Sequence, residues 1–172
     1  MKTKHIILLA AALLAGFSLK AQTPEEDPDI QYGAELLKPG TAAPEFQLND
    51  LDGKAVKLSD FRRKTVVLVF WASWCPDCRK EVPDLKAMYA KHGKTVQFVS
   101  ISYDREFQKL KDFAAEKELP GVQLFDPEGM KKSQVGADYH VKWIPSLYVI
   151  GPDGKVKLGT VVASKVADLL NQ

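Results

Sequence analysis

The stretch that decides the fold is Thr65 to Leu85, with the sequence TVVLVFWASWCPDCRKEVPDL. It opens with an uninterrupted run of β-branched, aliphatic and aromatic residues from Val66 to Trp71, which is typical of a central strand covered on both faces. From Pro76 onward the apolar residues recur at helical spacing, so a helix is predicted to follow. Two cysteines, Cys75 and Cys78, therefore lie where the predicted strand ends and the predicted helix begins.

The position of the first cysteine favours nucleophilic chemistry. The first N–H groups of a helix are unpaired and lie at the positive end of its dipole, which stabilises a thiolate relative to a thiol. Cys78 follows Cys75 by three residues, so it lies on the same helical face and can close a small disulfide ring. We therefore predict thiol–disulfide exchange, with Cys75 attacking from the exposed helix start and the more shielded Cys78 resolving the mixed disulfide.

Other uses of a Cys-x-x-Cys pair fit the chain less well. A zinc site needs about four ligands, and beyond residue 21 the sequence adds only His92 and His140 as nitrogen ligands. A structural crosslink that closes so small a loop stabilises little on entropic grounds. We expect no metal and no cofactor.

The wider pattern is similar to that of thioredoxin-fold proteins. Trp74 to Cys78 follows a predicted strand, Pro83 lies in the following helix, and Ile144 to Ser146 lies far downstream. A longer set of segments resembles the secreted, membrane-facing reductases of the cytochrome-c-maturation type in the redoxin family: Pro39 to Phe46, Leu58 to Phe61 and Val69 to Cys75. The resemblance extends from about Gly40 to the C-terminus.

The predicted elements give an α/β fold with a mixed sheet flanked by helices. One hairpin is predicted at Phe46 to Leu58 and a second at Ser146 to Leu158. Between them we predict strands at 95–102 and 122–125 and helices at 105–119 and 130–139, and a last helix runs from Ser164 to about Leu170. The resemblance implies that the first hairpin and a central helix–strand insertion, about Tyr103 to Asp126, are additions to the thioredoxin core.

The N-terminal residues have the features of a signal peptide over residues 1–21. Two lysines precede an apolar run from Ile6 to Leu19, and this run of about 14 residues is shorter than the ~20 needed to span a bilayer. Ala21–Gln22 is the candidate cleavage point, and an uncleaved membrane anchor is the alternative. We expect a flexible acidic linker over residues 22–37, a thioredoxin-like domain over 38–172, and a periplasmic or secreted protein.

The charge of the chain argues against a nucleic-acid partner. The formal net charge is +2, and three lysines lie before Gln22 with no acidic residue to balance them. The remainder is almost neutral and shows no electrostatic footprint for nucleic acid. A monomer is expected.

The resemblance implies a substrate-binding surface around the cysteine pair. Trp74 should shape the docking surface, together with Pro76 and Asp77 between the cysteines. In the resembling family an Ile-Pro peptide before a strand is cis and faces the cysteines, which places Ile144 and Pro145 opposite the pair. The exposed backbone of Ile144 could then pair with an extended substrate segment in a strand-like way.

Two departures from ordinary thioredoxin concern charge. Val69 stands six residues before Cys75, where thioredoxin has a buried aspartate. Glu81 matches the acidic residue that the cytochrome-maturation relatives use instead, and a solvated glutamate paired with a neighbouring lysine is the alternative interpretation. The pair between the cysteines is Pro76–Asp77 instead of the Gly-Pro of thioredoxin. Asp77 adds negative charge beside the cysteines and should oppose thiolate formation, which favours a more reducing protein.

The function predicted from these features is the reduction of oxidised client protein cysteines by an exported thiol–disulfide oxidoreductase. The resemblance implies a membrane thiol reductase as electron donor. Two alternatives stay open. A thiol peroxidase is one, because the N-terminal half also resembles peroxiredoxins. Their Pro-x-x-x-Thr/Ser-x-x-Cys motif is absent, however, since Leu68 stands at the proline position and Ala72 at the Thr/Ser position. A binding or chaperone module with an inert disulfide is the other.

Overall fold

A seven-stranded mixed sheet forms the centre of the structure, a computed structural model that describes residues 27–172. The strands are β1 (Gln47–Asp50), β2 (Ala55–Lys57), β3 (Thr65–Trp71), β4 (Val96–Ser102), β5 (Val122–Phe125), β6 (Ser146–Ile150) and β7 (Val156–Thr160). The flanking helices are α1 (Pro28–Gln31), α2 (Pro76–His92), α3 (Phe107–Glu116), α4 (Gly129–Lys132), α5 (Gln134–Asp138) and α6 (Ala163–Leu170). The predicted fold class is confirmed.

Strand β3 occupies the middle of the sheet, whose order is β2-β1-β5-β4-β3-β6-β7. It pairs in parallel with β4 and antiparallel with β6. Every residue of β3 after Thr65 is buried, because both faces of the strand are covered by packed side chains. This burial is what the uninterrupted apolar run predicts.

The predicted insertion joins the first hairpin to the core. Within it, α3 leads into β5, which pairs in parallel with β4. The other edge of β5 pairs antiparallel with β1, so the hairpin extends the same sheet. Side chains from β5 can therefore reach the sheet face that α2 covers.

Two predicted helices differ from those observed. The helix expected at 105–119 is shorter and ends at Glu116. The helix expected at 130–139 is two short helices, α4 and α5, which are separated at Ser133. Ser133 has a non-helical backbone (φ −54°, ψ 116°), and its hydroxyl accepts a hydrogen bond from the N–H of Gly136 at 2.7 Å. Ser133 therefore caps a new helix instead of continuing the previous one.

Part of the expected linker packs against the domain. Its first residues, 22–26, and the predicted signal peptide lie outside the described residues. From Asp27 onward the chain packs on the domain: Asp29 accepts hydrogen bonds from Thr160 and Val161, and Leu36 is buried. The segment predicted as a flexible linker therefore includes two acidic side chains, Asp27 and Asp29, that have partners far along the sequence. None of the helices found between residues 27 and 172 is long and apolar enough to cross a membrane.

Candidate active site

The two cysteines lie at the start of α2, and both are free thiols. Cys75 is the residue before the first helical turn, with an extended backbone (φ −82°, ψ 117°), and Pro76 occupies the first helical position. A proline suits this position because its missing N–H would have no helical partner. The backbone N–H of Cys78 donates a hydrogen bond to the Cys75 sulfur at 3.3 Å. The sulfur of Cys75 thus takes the place of an N-cap oxygen, as an acceptor for a free helical N–H.

Both sulfurs are covered, which corrects the expectation that Cys75 is exposed. Cys75 is 5% exposed and Cys78 is 3% exposed. The Cys75 thiol donates a hydrogen bond to the carbonyl oxygen of Ile144 at 3.5 Å, so the loop before β6 covers this side of the site. The distinction between the two cysteines lies in their surroundings, since burial alone does not separate them.

The second cysteine is strongly biased toward the thiol. Burial raises the pKa of Cys78 well above its ordinary value, and the hydrogen bond with Cys75 raises it further. The contribution of Cys75 to the raised pKa of Cys78 requires that Cys75 is a free thiol or thiolate. Once the Cys75 sulfur is bonded to another sulfur, this contribution to the pKa of Cys78 is lost.

The downstream Ile-Pro segment lies against the cysteine pair, as predicted. The Ile144–Pro145 peptide is cis. Pro145 lines the same cavity as Cys78 and Glu81, and the carbonyl of Ile144 faces Cys75. Residues from two segments that are far apart in the sequence therefore form a single site.

The other predicted docking residues lie on the surface around the pair. Trp74 is 54% exposed, and its indole N–H donates a hydrogen bond to the carbonyl of Tyr103 at 3.4 Å. Pro76 and Asp77 are exposed. Lys80 forms an ion pair with Asp77 at 2.9 Å, so the negative charge predicted beside the cysteines has a neighbouring positive charge.

Glu81 lies at the edge of the buried face of α2, as its spacing predicts. It is only partly exposed, and its Oε2 atom is buried and has no hydrogen-bond partner among the described residues. Burial raises the pKa of the Glu81 carboxyl, and the negative charges of Asp84 and Asp77 raise it further. In the part of the chain that the structure describes, Glu81 makes no ion pair with a lysine. The alternative interpretation of a lysine-paired surface glutamate is therefore not supported.

A comparison with known protein families identifies the family of this chain. Residues 39–158 match the model of the AhpC/TSA family. The chain belongs to this family. Among its relatives is the thiol-disulfide oxidoreductase ResA of Bacillus cereus, which is 32% identical over 152 residues, covering 88% of this chain and 82% of the relative. ResA of Bacillus subtilis is 33% identical over 144 residues, covering 81% of this chain and 78% of the relative.

Solved structures agree with these relatives. The thioredoxin domain of a thiol-disulfide oxidoreductase from Bacteroides vulgatus superposes with a TM-score of 0.71 at 28% identity, covering 78% of this chain and 96% of that domain. A Chlorobium tepidum protein assigned as the thiol:disulfide interchange protein DsbE gives a TM-score of 0.69 at 35% identity, covering 78% and 94%. The chain is thus a thioredoxin-fold thiol–disulfide oxidoreductase.

A buried carboxylate beneath the active-site loop of the oxidoreductase was missed by the sequence analysis. Asp104 is 2% exposed and accepts hydrogen bonds from the backbone N–H of Ser73 at 3.1 Å and from its hydroxyl at 2.6 Å. The hydroxyl of Ser102 also donates to Asp104, at 2.7 Å. Asp104 therefore fixes the turn that carries Trp74 and Cys75. Its role follows from the pairing of β3 with β4, which no local pattern reveals.

A groove beside the oxidoreductase's cysteines was also missed. The ring of Tyr32 stacks on that of Trp143 with centroids 4.3 Å apart, so the N-terminal segment forms one wall. The first turns of α2 form the other wall, with Asp77, Lys80 and Glu81. Glu81 thus borders both this open groove and the buried cavity beside Cys78.

Proposed function

We propose that this oxidoreductase is exported and reduces disulfides of client proteins by dithiol–disulfide exchange through Cys75 and Cys78. The observation that carries the proposal is the position of the Cys75 sulfur, which accepts the N–H of Cys78 and faces the carbonyl of Ile144. This N–H holds the sulfur at the start of α2, and a thiolate is the attacking species in disulfide exchange.

In the first step the Cys75 thiolate attacks one sulfur of a client disulfide. A bond forms between Cys75 and that sulfur, and the client's S–S bond breaks. The second client sulfur leaves as a thiolate and takes a proton, so the product is a mixed disulfide and one client thiol. The client segment would lie along the backbone of Ile144, next to Trp74, Pro76 and Asp77.

In the second step Cys78 attacks the Cys75 sulfur. Its thiol must first lose a proton, and its pKa falls at this stage because the Cys75 sulfur is now bonded to the client. The new Cys75–Cys78 disulfide releases the client sulfur that Cys75 had attacked, and this sulfur also takes a proton. Two electrons and two protons have then moved from the dithiol to the client disulfide.

Glu81 is the group that accepts the proton of Cys78. It lines the same cavity as that cysteine, and its buried Oε2 lacks a hydrogen-bond partner among the residues described here. The raised pKa of the Glu81 carboxyl makes it a better proton acceptor than an exposed glutamate at neutral pH. Because Glu81 also borders the open groove, it can return the proton to solvent.

The same exchange in reverse regenerates the dithiol. A membrane thiol reductase would donate two electrons through its own cysteine pair, and it would itself become oxidised. The basic and apolar residues before Gln22 support export, which places the reaction in a periplasmic or extracellular compartment. Disulfides persist in such compartments, so oxidised clients are available there.

A reduction assay tests the proposal. The purified protein, kept reduced by dithiothreitol, should accelerate the precipitation of insulin that follows cleavage of its interchain disulfides. Cys75→Ser should remove this acceleration, and hydrogen peroxide should not be consumed at a comparable rate. A wild-type protein that leaves insulin intact would show an inert disulfide, and rapid peroxide consumption would show a thiol peroxidase; either result would overturn the proposal.

A further inference from the structure

A cavity of about 20 Å³ lies between α2 and the sheet, beside Cys78. Its floor is a row of residues from four adjacent strands, in which Gln123 pairs with Ser100, Ser100 with Val69, and Val69 with Leu147. The helix contributes Cys78 and Glu81 among others. The central insertion closes one side of the cavity with Leu119, Pro120 and Gln123.

Three buried polar atoms on the lining residues have no hydrogen-bond partner among residues 27–172. They are Nε1 of Trp71, Oε2 of Glu81 and Oε1 of Gln123. Each of the three atoms is itself buried, so bulk water does not satisfy them. A buried polar atom without a partner costs about 1–3 kcal/mol, so three at one cavity would be expensive unless they share a partner.

The orientation of Gln123 is fixed by its own hydrogen bond. Its Nε2 atom donates to the carbonyl of Pro120 at 2.8 Å. This leaves the carbonyl oxygen of its side chain as an acceptor for the cavity. The set of atoms is therefore complementary, with one N–H donor on Trp71 and one acceptor each on Gln123 and Glu81.

We propose that this cavity binds one ordered water molecule, which carries the proton from Cys78 to Glu81. This inference rests on the proposed function. A cavity volume of about 10–15 Å³ is enough for one water molecule, so this cavity of about 20 Å³ has room for one. The water would accept hydrogen bonds from the Trp71 indole and the Cys78 thiol, and it would donate to Gln123 and Glu81.

The proton balance of the step is simple. Cys78 gives its proton to the water, and the water gives one of its own protons to Glu81. Cys78 becomes a thiolate, Glu81 becomes neutral, and the water is unchanged. Trp71 and Gln123 are positioning residues, because they hold the water without exchanging a proton. The insertion thus supplies part of the proton path, although the cysteines lie on a different element.

A double-mutant cycle tests the coupling. The variants are Gln123→Met, Glu81→Gln and the double variant, and the measurement is the pH profile of the rate at which the Cys75 mixed disulfide is resolved. Gln123→Met should slow resolution about tenfold, which is part of the 10²–10⁴-fold typical of general base catalysis. The same substitution should have no further effect on the rate in the Glu81→Gln background. Gln97→Met, the same substitution at a strand residue that does not line the cavity, is the matched control and should keep the wild-type profile.

The water itself can be detected by NMR. The indole N–H of Trp71 should show a nuclear Overhauser effect to a long-lived water, and Gln123→Met should remove it. Should Gln123→Met fail to fold, Trp71→Phe removes the donor and should show the same loss of coupling with Glu81→Gln. Additive rate effects in the cycle, or a Trp71 indole with no water contact, would overturn the inference. Failure of the proposed function would be distinguishable from failure of this inference, because the wild-type protein would then not reduce insulin at all.

Discussion

The thiol of Cys75 donates a hydrogen bond to the carbonyl oxygen of Ile144, 69 residues further along the chain. The pairing of β3 with β6 brings these residues together, because Phe70 near the end of β3 lies opposite Ser146 at the start of β6. The nucleophile follows the first strand and the Ile-Pro segment precedes the second. The sheet therefore brings the cysteine pair and the proposed client-binding segment together at one edge.

Replacement of each cysteine should give a different defect. Cys75→Ser should abolish reduction of insulin, whereas Cys78→Ser should accumulate mixed disulfides with clients because the resolving thiol is missing. Mass spectrometry of non-reduced samples measures these adducts. In the reduced wild type, iodoacetamide should modify Cys75 before Cys78, since burial and Cys75 itself raise the pKa of Cys78. Faster labelling of Cys78 would reverse the assigned roles.

Glu81→Gln should slow disulfide exchange and change its pH dependence while leaving the fold intact. Glu81 accepts a proton only when ionised, so the wild-type rate should rise with pH through its raised pKa, and this rise should disappear in the variant. Asp84→Asn is the matched control: it removes a neighbouring negative charge that raises the pKa of Glu81, so the rise should move to lower pH. Asp77, the other acid that raises the pKa of Glu81, keeps its ion pair with Lys80 in both variants. Superimposable rate profiles for wild type and Glu81→Gln would contradict this role.

The same carboxyl should make stability depend on pH. Because the pKa of Glu81 is higher in the folded than in the unfolded protein, the folded state binds its proton more tightly. The free energy of unfolding should therefore fall as pH rises from the unfolded pKa, about 4.3, through the folded one. Glu81→Gln should stabilise the protein at pH about 8, above this window, and have a smaller effect near pH about 4, where the carboxyl is mostly protonated in both states. Urea unfolding at the two pH values measures the difference; a variant less stable than wild type at the higher pH would argue against it.

Asp29→Ala should release the N-terminal segment. The Asp29 carboxylate accepts hydrogen bonds from the hydroxyl of Thr160 at 2.7 Å and the N–H of Val161 at 2.7 Å. Their loss should lower the free energy of unfolding by about 1–3 kcal/mol. It should also change Trp143 fluorescence, because Tyr32 no longer stacks on that ring. Glu116→Gln, which removes an exposed ion pair with Lys117, is the control and should change little.

Asp104→Ala should disturb the active-site turn without touching either cysteine. It would leave the N–H and hydroxyl of Ser73 and the hydroxyl of Ser102 without their acceptor, at a cost of roughly 2–4 kcal/mol in unfolding free energy. Ser73→Ala removes only one donor and should cost about 1 kcal/mol. Thermal or urea unfolding measures both effects. Equal stabilities for the two variants would show that Asp104 does not organise this turn.

The elements that the sequence predicts well are those with local signals. The apolar run of β3, the helical spacing of α2 and the cysteines between them depend only on neighbouring residues. The break at Ser133 also has a local signal, a serine able to cap a new helix, which the prediction of one continuous helix over residues 130–139 did not use.

The features that the sequence did not predict depend on long-range pairing. Asp29 lies in a segment predicted to be flexible because it has almost nothing apolar to bury, yet its partners, Thr160 and Val161, lie 131 and 132 residues away. No motif in the neighbouring sequence points to Gln123. Its side chain reaches the cavity only because β5 pairs with β4 in one particular register. A one-residue shift of that register would turn its side chain to the other face of the sheet.

The reduction potential of the Cys75–Cys78 couple tests the central claim most directly. It can be measured by equilibrating the protein with glutathione or dithiothreitol buffers and quantifying the thiols. A protein that reduces client disulfides should have a potential near that of thioredoxin, about −270 mV, or lower. A potential near that of the oxidant DsbA, about −120 mV, would contradict the account, because such a couple takes electrons from client thiols instead of donating them.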